Sequence, residues 1–129
     1  MTGYNEGAPS HASAVPIIIR EARSKGVRRM IWLTHSREVA SDKGAAIPGK
    51  KTYAPHNATI RNHADANHDV VAMEWSRVAR QVPFWLHSDG IHLDEFGGDD
   101  LAGFMSRAVA HVTARHLPHA AGAERSDAG

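Results

Sequence analysis

The chain has no cysteine. That absence removes disulfides, thiolate zinc sites and cysteine nucleophiles together. It also lacks an excess of either charge, with 15 Lys and Arg against 14 Asp and Glu in 129 residues and a formal charge of +1. A nucleic-acid binder carries a basic excess or a Lys/Arg-rich stripe that tracks phosphates, so no nucleic-acid partner is expected. No apolar run approaches the length of a bilayer crossing, so no membrane segment is expected. Residues 1–10, MTGYNEGAPS, hold neither the basic nor the apolar part of an export signal. With Met1 as the start, the chain reads as cytoplasmic.

Histidine is what the sequence has in plenty. The 10 His would carry the charge from +1 to +11 if all were protonated, so behaviour is expected to change as the pH falls toward 6. A hydrophobic content of 42%, broken into short runs, fits a soluble globular domain. The length suits one domain, in which roughly two thirds of the unfolded surface can be buried.

Residues 1–10 read as loop. From 11 to 26 the apolar residues Ala12, Val15, Ile18, Ile19 and Ala22 fall at helical spacing. Ser10 or Ser13 can cap that helix, Pro16 suits a first turn and Gly26 can end it, with Arg20, Glu21, Arg23 and Lys25 on the wet face. Residues 27–34, VRRMIWLT, are too short for a helix and rich in β-branched and aromatic side chains, so they predict a buried strand. Residues 35–52 are polar and contain Gly44, Pro48 and Gly49, which predicts a long loop.

A helix is expected over 53–67 with Pro55 in its first turn, and a second buried strand over 70–75 (VVAMEW). A short helix over 76–82, capped by Ser76, should break at Pro83. The last helix should start after an Asp94 cap and turn Leu101, Phe104, Met105, Ala108 and Val112 inward. Residues 118–129 predict a disordered tail after a domain over 1–117. Strands alternating with helices argue an α/β fold with a parallel sheet.

Two short patterns carry chemistry. Asp89-Gly90-Ile91-His92 places a carboxylate three residues before an imidazole on a loop. An Asp so placed can turn onto Nδ1, which fixes the tautomer and leaves Nε2 free as a general base. Such a pair also arises by chance in a His-rich chain. Near the N-terminus, Gly3 allows close backbone approach and the Asn5 amide can donate to an oxyanion, although G-Y-N-E also reads as a plain turn. The remaining histidines predict no metal site. His63 and His68, like His111 and His116, are five apart rather than the four of a helical metal motif, and His116 and His119 straddle Pro118. No cofactor is expected.

Taken in order, Gly3-x-Asn5-Glu6, a helix, an apolar strand ending in Thr34, Tyr53-x-x-x-Asn57, a strand ending in Trp75, and Asp89-Gly-Ile-His92-Leu93 before the last helix resemble the SGNH (GDSL-type) hydrolase family. The likeness runs from Gly3 to the end of the final helix, and D-G-I-H-L is its most specific piece. Asp94, Glu95, Phe96 and Gly97 look like that family's helix start, usually Thr-Pro-x-Gly, with Asp94 in place of the Thr.

The resemblance implies an ester hydrolase of a small-molecule, carbohydrate or lipid acyl ester. His92 would serve as base and then acid, Asp89 would orient it, and Asn5 with Gly3 would lie at the oxyanion. It implies a parallel-sheet three-layer fold, SGNH or flavodoxin-like, with five strands in order 2-1-3-4-5, of which 27–34 and 70–75 would be the last two. Members are often exported.

The sequence departs from the family in one large respect. The Gly-Asp-Ser nucleophile motif and the following block with an oxyanion-hole Gly are absent. Ser88 is a neighbour of Asp89 on the same short loop and cannot easily reach Nε2 of His92. Ser36, just past the first strand, is the better substitute. The expected fold is therefore incomplete, with the N-terminal strands missing, and the isolated chain should be weakly active or inactive. The edge of strand 27–34 would lie open, leaving Ile31 and Leu33 uncovered. That edge suggests self-association or a complementing fragment, and with it the alternative of a degenerate SGNH-like domain acting as an interaction module. Trp32 and Trp75 read as core at strand positions, while Trp85, ahead of the Asp-His loop, is a candidate pocket wall.

Overall fold

The computed structural model describes residues 7–36, 53–87 and 92–114. Among these residues the chain is mixed α/β, with four α-helices around a two-stranded parallel sheet.

Helix α1, Ala8–Ser24, starts three residues earlier than its apolar spacing suggests. Gly7 is the N-cap and Pro9 takes the first-turn place, so Ser10 and Ser13 lie inside the helix rather than capping it. Ser13 Oγ donates back to the Pro9 carbonyl at 3.0 Å. Pro16 consequently falls in the helix interior, where its ring removes one backbone donor. It sits on the exposed side, where water can reach the Ala12 carbonyl that loses a partner. Val15 and Ile19 face inward as expected, and His11 continues their stripe one turn earlier. The helix ends in a Schellman turn, with Gly26 at φ +79°, Gly26 N–H donating to Arg23 O and Val27 N–H to Ala22 O. Arg23 is on the wet face but engaged, because it donates from Nε and Nη2 to both Asp69 carboxylate oxygens at 2.7 and 2.6 Å.

Strands β1, Met30–Leu33, and β2, Val70–Met73, run parallel with Met30 opposite Val70 and Leu33 opposite Met73. Both are shorter than the apolar runs that announce them. Val27 is used up in the Schellman turn, and Trp75 opens helix α3, Trp75–Gln81, instead of ending the strand. Thr34 makes that junction. Its N–H donates to Met73 O, and its Oγ1 accepts the Ser76 N–H at 3.0 Å. Ser76 is thus a buried first-turn residue and Glu74 holds the N-cap position.

Alternation along β1 sorts its side chains. Met30 and Trp32 pack with Val15, Ile19 and Val70, on the side of α1 and of α2, Ala54–Ala66. Leu33 packs with Trp75, Ala79 and Leu86, together with Leu93, Leu101 and Phe104. The last two come from α4, Glu95–Ala114, which buries Ala108 but leaves Met105 half exposed, against the expectation that Met105 is core. No helix among the described residues is long and apolar enough to cross a membrane.

Candidate active site

Active sites of parallel α/β sheets gather beyond the C-terminal ends of the strands. At that end Leu33, the last residue of β1, shares a buried cluster with Leu93, Trp85 and Trp75. His92 immediately precedes Leu93. Its backbone is held from both sides: His87 N–H donates to His92 O at 2.8 Å, Leu86 and Leu93 form an antiparallel bridge, and Asp94 N–H donates to Trp85 O at 3.0 Å. The chain then enters α4 at once. Asp94 is the cap the sequence indicates, its Oδ1 accepting Gly97 N–H at 2.7 Å. The His92 side chain is exposed. The His92 backbone is thus fixed between a bridge and a helix cap, with its imidazole on the solvent side.

Gly97 lets this clamp close. A Cβ there would stand far inside contact distance of the Trp85 carbonyl oxygen, 2.9 Å from Trp85 Cβ and 3.0 Å from Leu93 Cδ2. Trp85 is half-buried and stacked on Trp75, with centroids 6.4 Å apart and planes 8° from parallel. That face of the ring is committed to the core, so any pocket wall it offers is its other face or edge. Ser36 lies two residues past Thr34 and is 2% exposed. Asp89, Gly3 and Asn5 lie outside the described residues, as do the 118–129 tail and most of the 35–52 loop.

No protein-family model, no curated protein and no solved structure matches this chain.

A second polar group at the same end of β1 went unread in the sequence. His11, His35 and His56 are all buried, with ring centroids 4.7 to 5.6 Å apart. Tyr53 stacks on His35 at 5.0 Å. Asn57, fully buried, closes a reciprocal pair with the chain at His35: its Oδ1 accepts His35 N–H at 2.7 Å and its Nδ2 donates to His35 O at 3.1 Å. The Asn57 side chain thereby does what a neighbouring strand would do, satisfying both backbone groups of a buried residue. Tyr53 and Asn57, noted only as a spaced pair, are the two ends of this arrangement. His11 had a legible signal, since it stands four residues before Val15 on the inward stripe of α1. Among the described residues no group of three or more His, Asp or Glu is arranged to hold a metal ion.

Proposed function

We propose that this chain carries the acid–base half of an SGNH-type ester hydrolase. The observation that carries the reading is the clamp on His92, an exposed histidine whose backbone is held between the Leu86–Leu93 bridge and the Asp94 cap near the C-terminal end of a parallel sheet. Two further features support it. The loop ahead of His92 contains Asp89 at the spacing of an imidazole-orienting carboxylate, and the order of elements follows the family's last two strands and final helix. In the full three-layer fold, β1 and β2 would be strands four and five of the sheet, with α1 and α2 on one face and α3 and α4 on the other.

In this mechanism His92 takes the proton of a serine hydroxyl as that oxygen attacks the ester carbonyl, then returns it to the leaving alcohol. Asp89 holds Nδ1–H and stabilises the imidazolium. The Asn5 amide and the Gly3 backbone donate to the oxyanion of the tetrahedral intermediate. The serine comes from a Gly-Asp-Ser segment that the 129 residues do not contain. Ser36 does not take that part, because its burial keeps it from an ester carbonyl.

The coding sequence upstream of Met1 tests this. A Gly-Asp-Ser, in frame or displaced by a frameshift, is expected roughly 60 to 100 codons away, given the usual span of a domain. Its absence would leave the interaction-module reading, which is favoured independently by the pairing of β1 on one side only among the described residues. On their own, the 129 residues are expected to show no serine-dependent turnover of a short-chain p-nitrophenyl ester. Such turnover, lost on His92→Ala, would place the nucleophile inside the chain and overturn the division proposed.

A further inference from the structure

The short antiparallel ribbon that carries His92 carries a second imidazole on the same face. Its ladder fixes the register. Asp94 N–H donates to Trp85 O and His87 N–H donates to His92 O, so these two bonds bracket the Leu86–Leu93 bridge, and the next facing pair is His87 with His92. Successive side chains of a strand point to opposite faces. Leu86 is buried and Leu93 packs in the same cluster beside Trp75, which turns His87 and His92 together to the outer face. Both are exposed, as that alternation requires. Facing residues of a hydrogen-bonded antiparallel pair have Cα atoms about 5.5 Å apart and Cβ atoms about 4.5 to 5.5 Å apart. Two imidazoles hung from such a pair can turn onto one ion, because a tetrahedral centre with bonds of about 2.0 to 2.1 Å needs its two nitrogens only roughly 3.3 Å apart.

We infer that His87 and His92 form a two-imidazole chelate for a borderline divalent metal ion, Zn2+, Ni2+ or Cu2+, with water in its other positions. The donors select the class. Imidazole suits these ions, whereas Mg2+ and Ca2+ take oxygen ligands. Local charge favours a cation, since residues 81–106 contain five Asp and Glu and no Lys or Arg. The base of the chelate is stiff. The Asp94 cap and the close seat of Gly97 on Trp85 tie the ribbon to α4, so little backbone remains to be ordered when the ion binds. With no group of three ligands among the described residues, the site is an open one. A spacing of five hid it, being wrong for one helix face and right for two arms of an antiparallel pair. The chelate does not rest on the ester-hydrolase reading. Where that reading holds, a metal ion on Nε2 of His92 takes the lone pair the base would use, so metal binding and base catalysis exclude each other.

Calorimetric titration of the 129-residue chain with CuCl2, NiCl2, ZnCl2 and MgCl2 tests it, in a non-coordinating buffer near neutral pH. Cu2+ should bind most tightly and Mg2+ not at all. A chelate makes its second ligand intramolecular, so His87→Ala and His92→Ala should each weaken Cu2+ and Ni2+ binding about tenfold or more. Both positions are exposed, and circular dichroism should show each variant folded. His68→Ala and His111→Ala, at exposed histidines on other elements, should leave binding as it was. Paramagnetic Cu2+ locates the ion: at substoichiometric amounts it should broaden the imidazole signals of His87 and His92 together, ahead of those of the other histidines. Binding that survives both His87→Ala and His92→Ala places the metal elsewhere and overturns the proposal. Binding lost with only one of the two marks a lone histidine instead of a chelate and overturns it as well. No binding at all also overturns the chelate, and leaves the hydrolase reading standing, because binding is read without turnover.

Discussion

Replacing Gly97 with alanine should destabilise the protein, although alanine is the better helix former. Gly97 is the third residue of α4, and in a free helix the change would gain about 1 kcal/mol. Here the new methyl would overlap the Trp85 carbonyl oxygen and press on Trp85 Cβ and Leu93 Cδ2 at 2.9 and 3.0 Å. The oxygen is backbone and accepts the Asp94 N–H, so it cannot swing aside as a flexible side chain would. The start of α4 must back away. That loosens one hydrogen bond, worth about 1 kcal/mol, and strains the packing of Leu93 and Trp85 at the usual overpacking cost of about 1 to 3 kcal/mol. With the propensity gain set against these, the net loss is about 1 to 3 kcal/mol, a fall in Tm on the order of 3–12 °C for a domain of this size. Gly98→Ala is the internal control: it is exposed, no atom lies within 4 Å of its would-be Cβ, and it should stabilise by up to about 1 kcal/mol. Thermal and urea melts of the two variants at one protein concentration decide the matter. If Gly97→Ala melts as high as Gly98→Ala, the close approach of α4 to Trp85 is wrong, and with it the clamp on His92.

Asn57→Leu keeps the branched shape and the number of heavy side-chain atoms but removes both partners of the His35 backbone and adds bulk at a fully buried site, so it should cost about 3 kcal/mol or more, read as a lower urea midpoint at unchanged slope. A loss below about 0.5 kcal/mol would show that the Asn57–His35 pair does not hold that chain segment in place. Asp69 adds a pH signature. Hydrogen bonds from the Arg23 guanidinium hold its carboxyl down at about 2, against an ordinary 3.8. A depressed acid contributes stability above its unfolded pKa and loses it as the pH falls toward the folded value. The Tm difference between the natural chain and Asp69→Asn should therefore be constant from neutral pH to about 5 and shrink between about 4 and 2. A difference that stays constant down to pH 2 would show that the ion pair contributes nothing.

The two strands were legible because MIWL and VVAM are short apolar runs between polar segments, and the parallel pairing followed from the helix that joins them. Their ends were not, because the residues that trim them act through tertiary contacts. Val27 is drawn into the turn after α1, and Thr34 reaches across to cap α3, which pulls Trp75 out of the strand. Pro16 misled because a first-turn proline was available twice, and Pro9 took the place. The Asp94 cap was legible since it needs only its own three successors. Nothing local reveals that Asn57, an ordinary polar residue on an amphipathic helix, is buried against His35. Nor does anything local show that Gly97 is small for the sake of Trp85, twelve residues earlier. The histidines divide in the same way: their spacing gives no helical metal motif, but burial of three of them depends on helices that meet only in the folded chain.

The pairing of Asp89 with His92 is the step on which the proposed chemistry turns, and the tautomer of His92 measures it most directly. At about pH 8, where imidazoles are neutral, long-range proton–nitrogen correlation spectra distinguish Nδ1–H from Nε2–H. His92 should hold its proton on Nδ1, leaving Nε2 to face substrate, and Asp89→Ala should return it to the Nε2–H form favoured by an unpartnered histidine. A His92 that shows the same tautomer with and without the Asp89 carboxylate would contradict an oriented general base in this chain.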